Sequence, residues 1–288
     1  MKLSIIIPTK DRTKEIKSTI NFLSNNVFFF NELIIIDSSK KNNDLKCYIK
    51  KFNFRIKYYY SKPSISLQRN IGIKNLDKNN NFVMFLDDDI KFNKSALHKM
   101  KSFIENNHRK YAGFGFNLIT NDKIKKNRNN FLNIFNIYSN KCGAVAQSGW
   151  HSLAFNLNRD TVVEWLSSQA VIYNHQKIKN IFFDEFFKDY SYLEDLDFSY
   201  SLKNIGKLVI VANARYQHKH DIDRSSFSFG KKEIINRGYI VKKHQLNFKL
   251  FLIASILKCI SNLLSFNLMK IKRAFGNIRA VIQIINSP

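Results

Sequence analysis

The chain has 288 residues, 44% of them hydrophobic and 14% aromatic, so it can bury a core and is too apolar to be disordered by composition. Lys and Arg number 47 against 22 Asp and Glu, a formal net charge of +25, which favours a nucleic-acid, anionic-lipid or phosphorylated partner unless it reflects a Lys-, Asn- and Ile-rich bias. Three scattered cysteines argue against a disulfide framework or a paired-cysteine zinc site.

The N-terminal 115 residues alternate short apolar runs with helical patterns, which indicates βαβ units around a mostly parallel sheet. Four apolar runs are predicted strands: Leu3 to Ile7, Leu33 to Ile36, Ile56 to Tyr60, and Phe82 to Leu86. The first run is too short before Pro8 to be a secretory signal. Because ligands of such sheets bind at the carboxyl ends of the strands, we expect the polar residues after these runs to meet at one edge.

Three consecutive aspartates, Asp87, Asp88 and Asp89, follow the fourth predicted strand. A bound cation relieves their mutual repulsion, and hard Mg²⁺ or Mn²⁺ takes oxygen ligands that a nucleotide diphosphate completes. The alternative is a solvated aspartate-rich turn with Asn93 as a helix cap. The apolar strand that leads directly into the aspartates favours the metal-diphosphate site.

Further along, the polar stretch from Thr120 to Asn140 is predicted to be a loop or an insertion that covers the site. Beyond it, short predicted strands at Val171 to Tyr173 and Leu208 to Val211 flank a helix that begins at Leu193-Glu194-Asp195-Leu196-Asp197. Acidic residues in a first helical turn are favoured by the helix dipole, so capping stays open beside a chemical role.

The C-terminal segment is basic and helical in pattern, with no acidic residue after Glu233 and nine basic ones. Lys249 and Lys258 interrupt its apolar run, leaving too few uncharged residues in succession to span a bilayer. One predicted helical face carries Ile271, Phe275, Ile278, Ile282 and Ile285, and another carries Lys270, Arg273 and Asn277. This pattern predicts an amphipathic tail on an anionic membrane surface, or one packed on the rest of the chain or on a second subunit.

Six segments along the chain carry a recognisable pattern: Ser4 to Arg12, Glu32 to Asp37, Gln68 to Gly72, Phe85 to Asp89, Trp165 to Gln169, and Glu194-Asp195-x-Asp197. Together these segments resemble family 2 of the glycosyltransferases. The resemblance implies a GT-A fold, a Rossmann-like α/β sheet flanked by helices. It divides the chain into a glycosyltransferase domain at 1–245, with a nucleotide-sugar half at 1–119 and an acceptor half at 150–245, and a basic amphipathic tail at 246–288.

The same resemblance implies a role for each matching residue. A divalent metal, Mn²⁺ or Mg²⁺, is expected on Asp87 and Asp89 together with His220, or with His218 in its place. Donor binding is implied for Pro8, Thr9, Asp11, Arg12, Asp37, Arg69, Asp87 and Asp88. Asp195 is the implied general base, with Ser168, Gln169 and Glu194 on the acceptor side. Ser38 stands where many members carry an aspartate, so the nucleotide base stays open.

The implied activity is transfer of a sugar from a nucleoside-diphosphate donor to a hydroxyl of a glycan or lipid-linked acceptor, with inversion, in cell-surface polysaccharide or glycolipid biosynthesis. The expected location is cytoplasmic and peripheral on the inner face of the cell membrane. Two rivals are a non-catalytic nucleic-acid-binding protein, suggested by the charge and by Tyr58-Tyr59-Tyr60, and a sugar nucleotidyltransferase. Carboxylates at the sheet edge disfavour a nucleic-acid partner, and no glycine-rich nucleotide loop follows Ile7.

Overall fold

The structure is a computed structural model that describes residues 1–40, 43–120, 135–188, 191–218 and 226–286. Most of the predicted loop at 120–140 lies outside these ranges, and so does His220, one of the two histidines predicted near the metal.

The described residues include nine strands that form one sheet. They are β1 Leu3–Thr9, β2 Glu32–Asp37, β3 Ile56–Tyr60, β4 Phe82–Leu86, β5 Lys91–Phe92, β6 Tyr111–Leu118, β7 Thr161–Val163, β8 Ala170–Asn174 and β9 Lys207–Gln217. The order is β3-β2-β1-β4-β8-β6-β9-β5, and β7 pairs with β9. The strands β1 to β4 run parallel, as predicted, whereas β8 is antiparallel to both of its neighbours.

Helices connect the strands and continue beyond them. They are α1 Thr13–Ser24, α2 Asn43–Ile49, α3 Ile65–Lys74, α4 Ala96–Asn107, α5 Glu194–Tyr200, α6 Phe227–Lys243, α7 Phe248–Leu263 and α8 Leu268–Ile285. Ser64 caps α3, its hydroxyl accepting a hydrogen bond from the Leu67 backbone N–H.

The burial of β1, β2 and β4 explains why these strands could be predicted from the sequence. All residues of β1, β2 and β4 are buried. Parallel strands covered on both faces are continuous apolar runs. Along α1, Ile16, Ile20 and Leu23 recur at helical spacing and are buried in the same core. The packed core and the parallel pairing of β1 with β2 hold the polar carboxyl ends of these strands side by side.

Two compact units divide the chain: Met1–Asn121 with Ala154–Lys219, and Asp122–Leu153 with His220–Pro288. The first unit contains the sheet and helices α1 to α5. The second contains α6, α7 and α8, so the predicted boundary after residue 245 lies inside this unit. Within the described residues, no helix is both long enough and apolar enough to cross a membrane.

The second unit buries part of the face that the sequence predicted to be polar. Asn277 is fully buried, and Arg273 donates to Glu233 Oε2 from Nε at 3.0 Å and from Nη2 at 2.7 Å. Lys270 is exposed as expected. On the predicted apolar face, Phe275, Ile282 and Ile285 are exposed to solvent. The tail is therefore amphipathic as predicted, but parts of its polar face lie inside and parts of its apolar face lie outside.

Close packing of α6 and α8 depends on two glycines. A Cβ added to Gly276 would lie 2.0 Å from Phe227 O, and one added to Gly230 would lie 2.2 Å from Arg273 O. Alanine normally stabilises a helix by about 1 kcal/mol relative to glycine. At Gly276 we expect the opposite sign, because Gly276→Ala forces the two backbones apart and lowers the free energy of unfolding by about 1 to 3 kcal/mol.

Thermal unfolding of the Gly276→Ala variant measures this effect. The control is Ser261→Ala at an exposed position of α7, which we expect to leave the melting temperature unchanged. A Gly276→Ala variant as stable as the wild type would show that α6 and α8 can separate at no cost.

Candidate active site

The carboxyl ends of β1, β2, β3 and β4 lie at one edge of the sheet. Thr9 at the end of β1 pairs with Asp37 at the end of β2, which pairs with Tyr60 at the end of β3. The register of β1 against β4 places Asp87 to Asp89 at this same edge. The strand ends that the sequence expected to meet are thus brought together by continuous parallel pairing.

Arg12 joins two of the three consecutive aspartates. Its Nη1 lies 2.9 Å from Asp88 Oδ1, and its Nη2 lies 2.6 Å from Asp89 Oδ2. Asp88 also accepts a hydrogen bond from Thr9 Oγ1 at 2.7 Å, and its backbone oxygen accepts one from Thr19 Oγ1 at 2.7 Å. Because Arg12, Thr9 and Thr19 all bind it, Asp88 is a fixed part of the loop after β4.

The pKa values of Asp88 and Asp89 shift in opposite directions. Burial raises the pKa of Asp88 to about 7, against the hydrogen bond from Thr9 and the charge of Arg12. Burial opposes ionisation of Asp89 as well, but hydrogen bonds from His218 and Arg12 lower its pKa to about 2. Asp89 is therefore the carboxylate that stays charged at neutral pH.

His218 is linked to Asp89 on one side and to an amide on the other. Its Nε2 lies 3.1 Å from Asp89 Oδ1, and its Nδ1 lies 3.1 Å from Gln169 Nε2. Gln169 in turn accepts a hydrogen bond from Tyr216 Oη at 2.9 Å. Burial lowers the pKa of His218, but the hydrogen bond and charge of Asp89 outweigh it and raise the pKa overall. Tyr216 and Gln169 thus fix the orientation of the imidazole beside the aspartates.

Arg69 bridges the aspartates and the acidic helix α5. Its Nη1 lies 3.0 Å from Glu194 Oε1, and its Nη2 lies 3.4 Å from Asp87 Oδ1. The side chain of Arg69 is 3% exposed, and its guanidinium lies 5.1 Å from the centre of the Phe183 ring. Arg69 is therefore a buried ion-pair partner and not part of the protein surface.

Asp195 is the second residue of α5, two positions after a residue with an unusual backbone. Leu193, a buried residue, has a φ of 76°, a left-handed conformation that bulky side chains rarely adopt. Asp195 Oδ1 accepts a hydrogen bond from the Leu196 N–H at 2.8 Å, and Ser167 and Ser168 also donate to its carboxylate. Burial raises the pKa of Asp195, and the charge of Arg69 opposes the rise. Burial and the neighbouring charge of Asp195 likewise raise the pKa of Glu194.

Asp37 is placed at the predicted edge but is almost fully buried. Its Oδ1 accepts from the Ser39 N–H at 2.8 Å, and its Oδ2 accepts from Tyr58 Oη at 2.7 Å. Asp11 has a φ of 53°, and its N–H donates to Ser39 Oγ at 2.7 Å. These hydrogen bonds tie Asp37 to the loop after β2 and to β3. A bound base or ribose could contact Asp37 only through the carboxylate lone pairs that these bonds leave unused.

Two functional residues of α3 were not singled out from the sequence. Gln68 Nε2 donates to Thr9 O at 3.0 Å and to Ile36 O at 2.8 Å, so it ties together the ends of β1 and β2. Asn70 exchanges hydrogen bonds of 2.8 Å with both backbone groups of Phe183. Both flank Arg69 in the segment that carried the family resemblance, which is the only signal that pointed to them.

The remaining predicted residues lie in or beside this edge. Pro8 is buried in β1, and Ser168 is buried with its hydroxyl lacking a hydrogen-bond partner among the described residues. The Asp87 N–H donates to Gln169 O at 2.9 Å, which brings the acceptor-side segment beside the aspartates. Of the two candidate histidines, His218 reaches Asp89, and His220 lies outside the described residues.

The carboxylates have the chemistry of a divalent cation site. Arg12 and His218 keep Asp89 ionised, and each carboxylate oxygen retains a lone pair that a cation could use. Carboxylate oxygens are the ligands that Mg²⁺ and Mn²⁺ prefer. No three carboxylates, imidazoles or thiols in the described ranges converge as a complete cage. A divalent ion held by these carboxylates would need further ligands from a bound molecule.

Comparison with known families and structures gives a consistent assignment of this fold. Residues 4–156 match the family described as Glycosyl transferase family 2, and this match covers more than half of the chain. No curated protein matches the chain.

Two solved structures illustrate the similarity. The structure of residues 1–349 of S. aureus TarS in complex with UDP-GlcNAc has a TM-score of 0.58 and 16% identity, covering 99% of this chain and 82% of that one. GalNAc-T7 with UDP, GalNAc and Mn²⁺ has a TM-score of 0.58 and 13% identity, covering 91% of this chain and 57% of that one. At such identities the likeness shows a shared fold, the GT-A fold that the sequence predicted.

Proposed function

The chain belongs to glycosyl transferase family 2, and from this premise we propose that it transfers a sugar from a nucleoside diphosphate to an acceptor hydroxyl with inversion at the anomeric carbon. The observation that carries the proposal is the cluster of Asp87, Asp88, Asp89 and His218, which Arg69 joins to the acidic start of α5. A non-catalytic nucleic-acid-binding protein does not need this arrangement.

The donor diphosphate is held at the aspartates. Asp87 and Asp89 would hold a divalent ion, with His218 beside them, and the ion supplies the positive charge that stabilises the departing diphosphate. UDP is the first nucleotide to test, because solved structures of the same fold contain UDP or a UDP-sugar. Thr9, Asp11 and Asp37 line the edge where the base and ribose bind.

The transfer step requires a base for the acceptor hydroxyl. The acceptor oxygen forms a bond to the anomeric carbon, the bond from that carbon to the diphosphate oxygen breaks, and the hydroxyl proton passes to the Asp195 carboxylate. Arg69 is a positioning residue, because its contacts with Asp87 and Glu194 fix the distance between the donor side and the base side. Attack from the face opposite the leaving group gives inversion.

The acceptor belongs to the glycans or lipid-linked glycans of cell-surface polysaccharide or glycolipid biosynthesis. A peripheral position on the cytoplasmic face of the cell membrane fits a lipid-linked acceptor, and the exposed apolar surface of the second unit supports it.

We expect UDP to stabilise the protein only when Mn²⁺ or Mg²⁺ is present, because the aspartates otherwise repel the diphosphate. At a ligand concentration one hundred times the dissociation constant, the gain in unfolding free energy is about 2.7 kcal/mol. The measurement is thermal unfolding with UDP, GDP, dTDP and CDP, each with metal and with EDTA.

Asp89→Asn should lose this stabilisation, since it removes the charged carboxylate proposed to hold the ion, which Arg12 and His218 contact. The matched control is Asp44→Asn on α2, whose side chain is 72% exposed and far along the chain from the aspartates. Equal stabilisation by UDP in EDTA, or in Asp89→Asn, would remove the metal from the proposal.

A further inference from the structure

The exposed side of α7 carries a continuous apolar stripe. Ile253, Ile256, Ile260 and Leu263 are 45%, 49%, 45% and 38% exposed. Their spacings of three and four residues place them on one face of the helix. The opposite face packs inward with Phe251 and Ala254, which are fully buried. Side chains of this size normally occupy the packed side of a helix in water, so this stripe marks an interaction surface.

The turn between α7 and α8 extends the stripe. Leu264, Phe266 and Leu268 are 66%, 95% and 67% exposed, and Phe266 has a φ of 49°. A left-handed backbone at a phenylalanine costs conformational energy, and here it accompanies a side chain that contacts almost nothing. We call the stripe on α7 and this turn together the hairpin surface.

Polar side chains lie on the inner side of the same helices. Asn262 Nδ2 donates to Asn277 Oδ1 at 3.1 Å, and Asn277 Nδ2 donates to Gly230 O at 2.8 Å. Glu233, which is 3% exposed, accepts two hydrogen bonds from Arg273. Polar groups paired inside and large apolar groups outside are expected of helices that contact lipid, because apolar side chains gain free energy when lipid replaces water around them.

The charge around the hairpin surface selects the kind of partner. Residues 226–286 contain eleven basic side chains and a single acid, Glu233, which is itself paired with Arg273. Lys249, Lys270, Lys272 and Arg279 are exposed on α7 and α8. A second copy of this chain would bring like charges together, whereas an anionic bilayer offers both an apolar interior and opposite charge.

We propose that the hairpin surface inserts into the interface of an anionic lipid bilayer, with the turn at Leu264 to Leu268 entering deepest and the surrounding lysines and arginine contacting the headgroups. The attachment is peripheral, since none of the described helices can span a membrane. This insertion is independent of nucleotide chemistry. Only its consequence, delivery of the site to a lipid-linked acceptor, rests on the proposed function.

Vesicle co-sedimentation of the full-length protein tests the proposal. The probes are neutral phosphatidylcholine vesicles and vesicles that also contain phosphatidylglycerol. The triple variant Leu264→Ser, Phe266→Ser and Leu268→Ser should weaken binding to both by at least about ten-fold, because three apolar side chains no longer enter the bilayer. The control Ile205→Ser, at a position 42% exposed in the first unit, should bind as the wild type does.

A second variant separates charge from apolar insertion. Lys272→Gln with Arg279→Gln should weaken binding to the anionic vesicles by about five-fold for each residue and leave binding to neutral vesicles unchanged. Raising the salt concentration should weaken binding to the anionic vesicles in the same way.

Two results would overturn the proposal. In the first, the triple serine variant binds vesicles as tightly as the wild type. In the second, the wild type is a dimer in light scattering without lipid and the same variant is a monomer, which would make the surface a contact between copies. Stabilisation by UDP and Mn²⁺ is measured on every variant. If UDP and Mn²⁺ fail to stabilise the wild type but the wild type still binds vesicles, the proposed function is contradicted and this inference stands.

Discussion

Asp195→Asn is expected to reduce sugar transfer by about 10² to 10⁴-fold while leaving stabilisation by UDP and Mn²⁺ unchanged. The substituted amide keeps the size of the side chain and cannot accept the hydroxyl proton. Asp195 lies at the first turn of α5, where Leu196, Ser167 and Ser168 donate to its carboxylate. These donors favour the ionised form that a base requires, although burial raises its pKa.

The measurement is a turnover assay on UDP-sugars together with thermal unfolding. The matched control is Asp44→Asn, an exposed carboxylate that should leave both readouts unchanged. If Asp195→Asn transfers sugar at nearly the wild-type rate, its carboxylate serves only to cap α5 and the base lies elsewhere. If it also loses nucleotide binding, Asp195 acts on the donor side.

Arg69→Met is expected to lower the free energy of unfolding by about 3 to 5 kcal/mol, since it leaves buried carboxylates without their cation. Glu194 lies 3.0 Å from the guanidinium of Arg69, and Asp87 lies 3.4 Å from it. Methionine keeps much of the packing against Phe183, so most of the loss is electrostatic. The control Arg55→Met removes the partner of the surface carboxylate Asp77 and leaves the buried Glu32 paired with Lys57, so it should cost much less.

A double-mutant cycle distinguishes charge pairing from packing. Adding Glu194→Gln to Arg69→Met removes one of the unpaired charges, so the double variant should be more stable than Arg69→Met alone. Strictly additive losses would instead assign the cost to the lost contact between Arg69 and Phe183. Chemical denaturation of the four proteins measures the cycle.

The contacts of Arg69 with Asp87 and Glu194 also predict how Arg69 acts in sugar transfer. Its Nε has no hydrogen-bond partner among the described residues, and its side chain is almost inaccessible. We therefore expect Arg69→Lys, which keeps the charge but not the two-sided geometry, to lower the turnover number more than it raises the Michaelis constant for the donor. This pattern is expected of a residue that positions the base and not of one that only binds phosphate.

Local sequence patterns were sufficient to predict the first four strands. Strands β1, β2 and β4 are buried on both faces and so consist of unbroken apolar residues. The position of Asp87 to Asp89 directly after such a strand located them at the carboxyl edge. The roles of Gln68 and Tyr216 could not be predicted, because their partners, Thr9 and Gln169, are distant in the sequence.

The sequence by itself determined the parallel half of the sheet, the edge at which its polar residues collect, and the amphipathic period of the C-terminal helices, because these depend on the spacing of neighbouring residues. Tertiary structure alone decided which aspartate is tied down by Arg12 and Thr9, that Arg69 joins Asp87 to Glu194, and that Glu233 draws Arg273 inward. Those contacts join residues far apart along the chain. A periodic pattern shows that a helix has two different faces, but only the packing of its neighbours decides which face is buried.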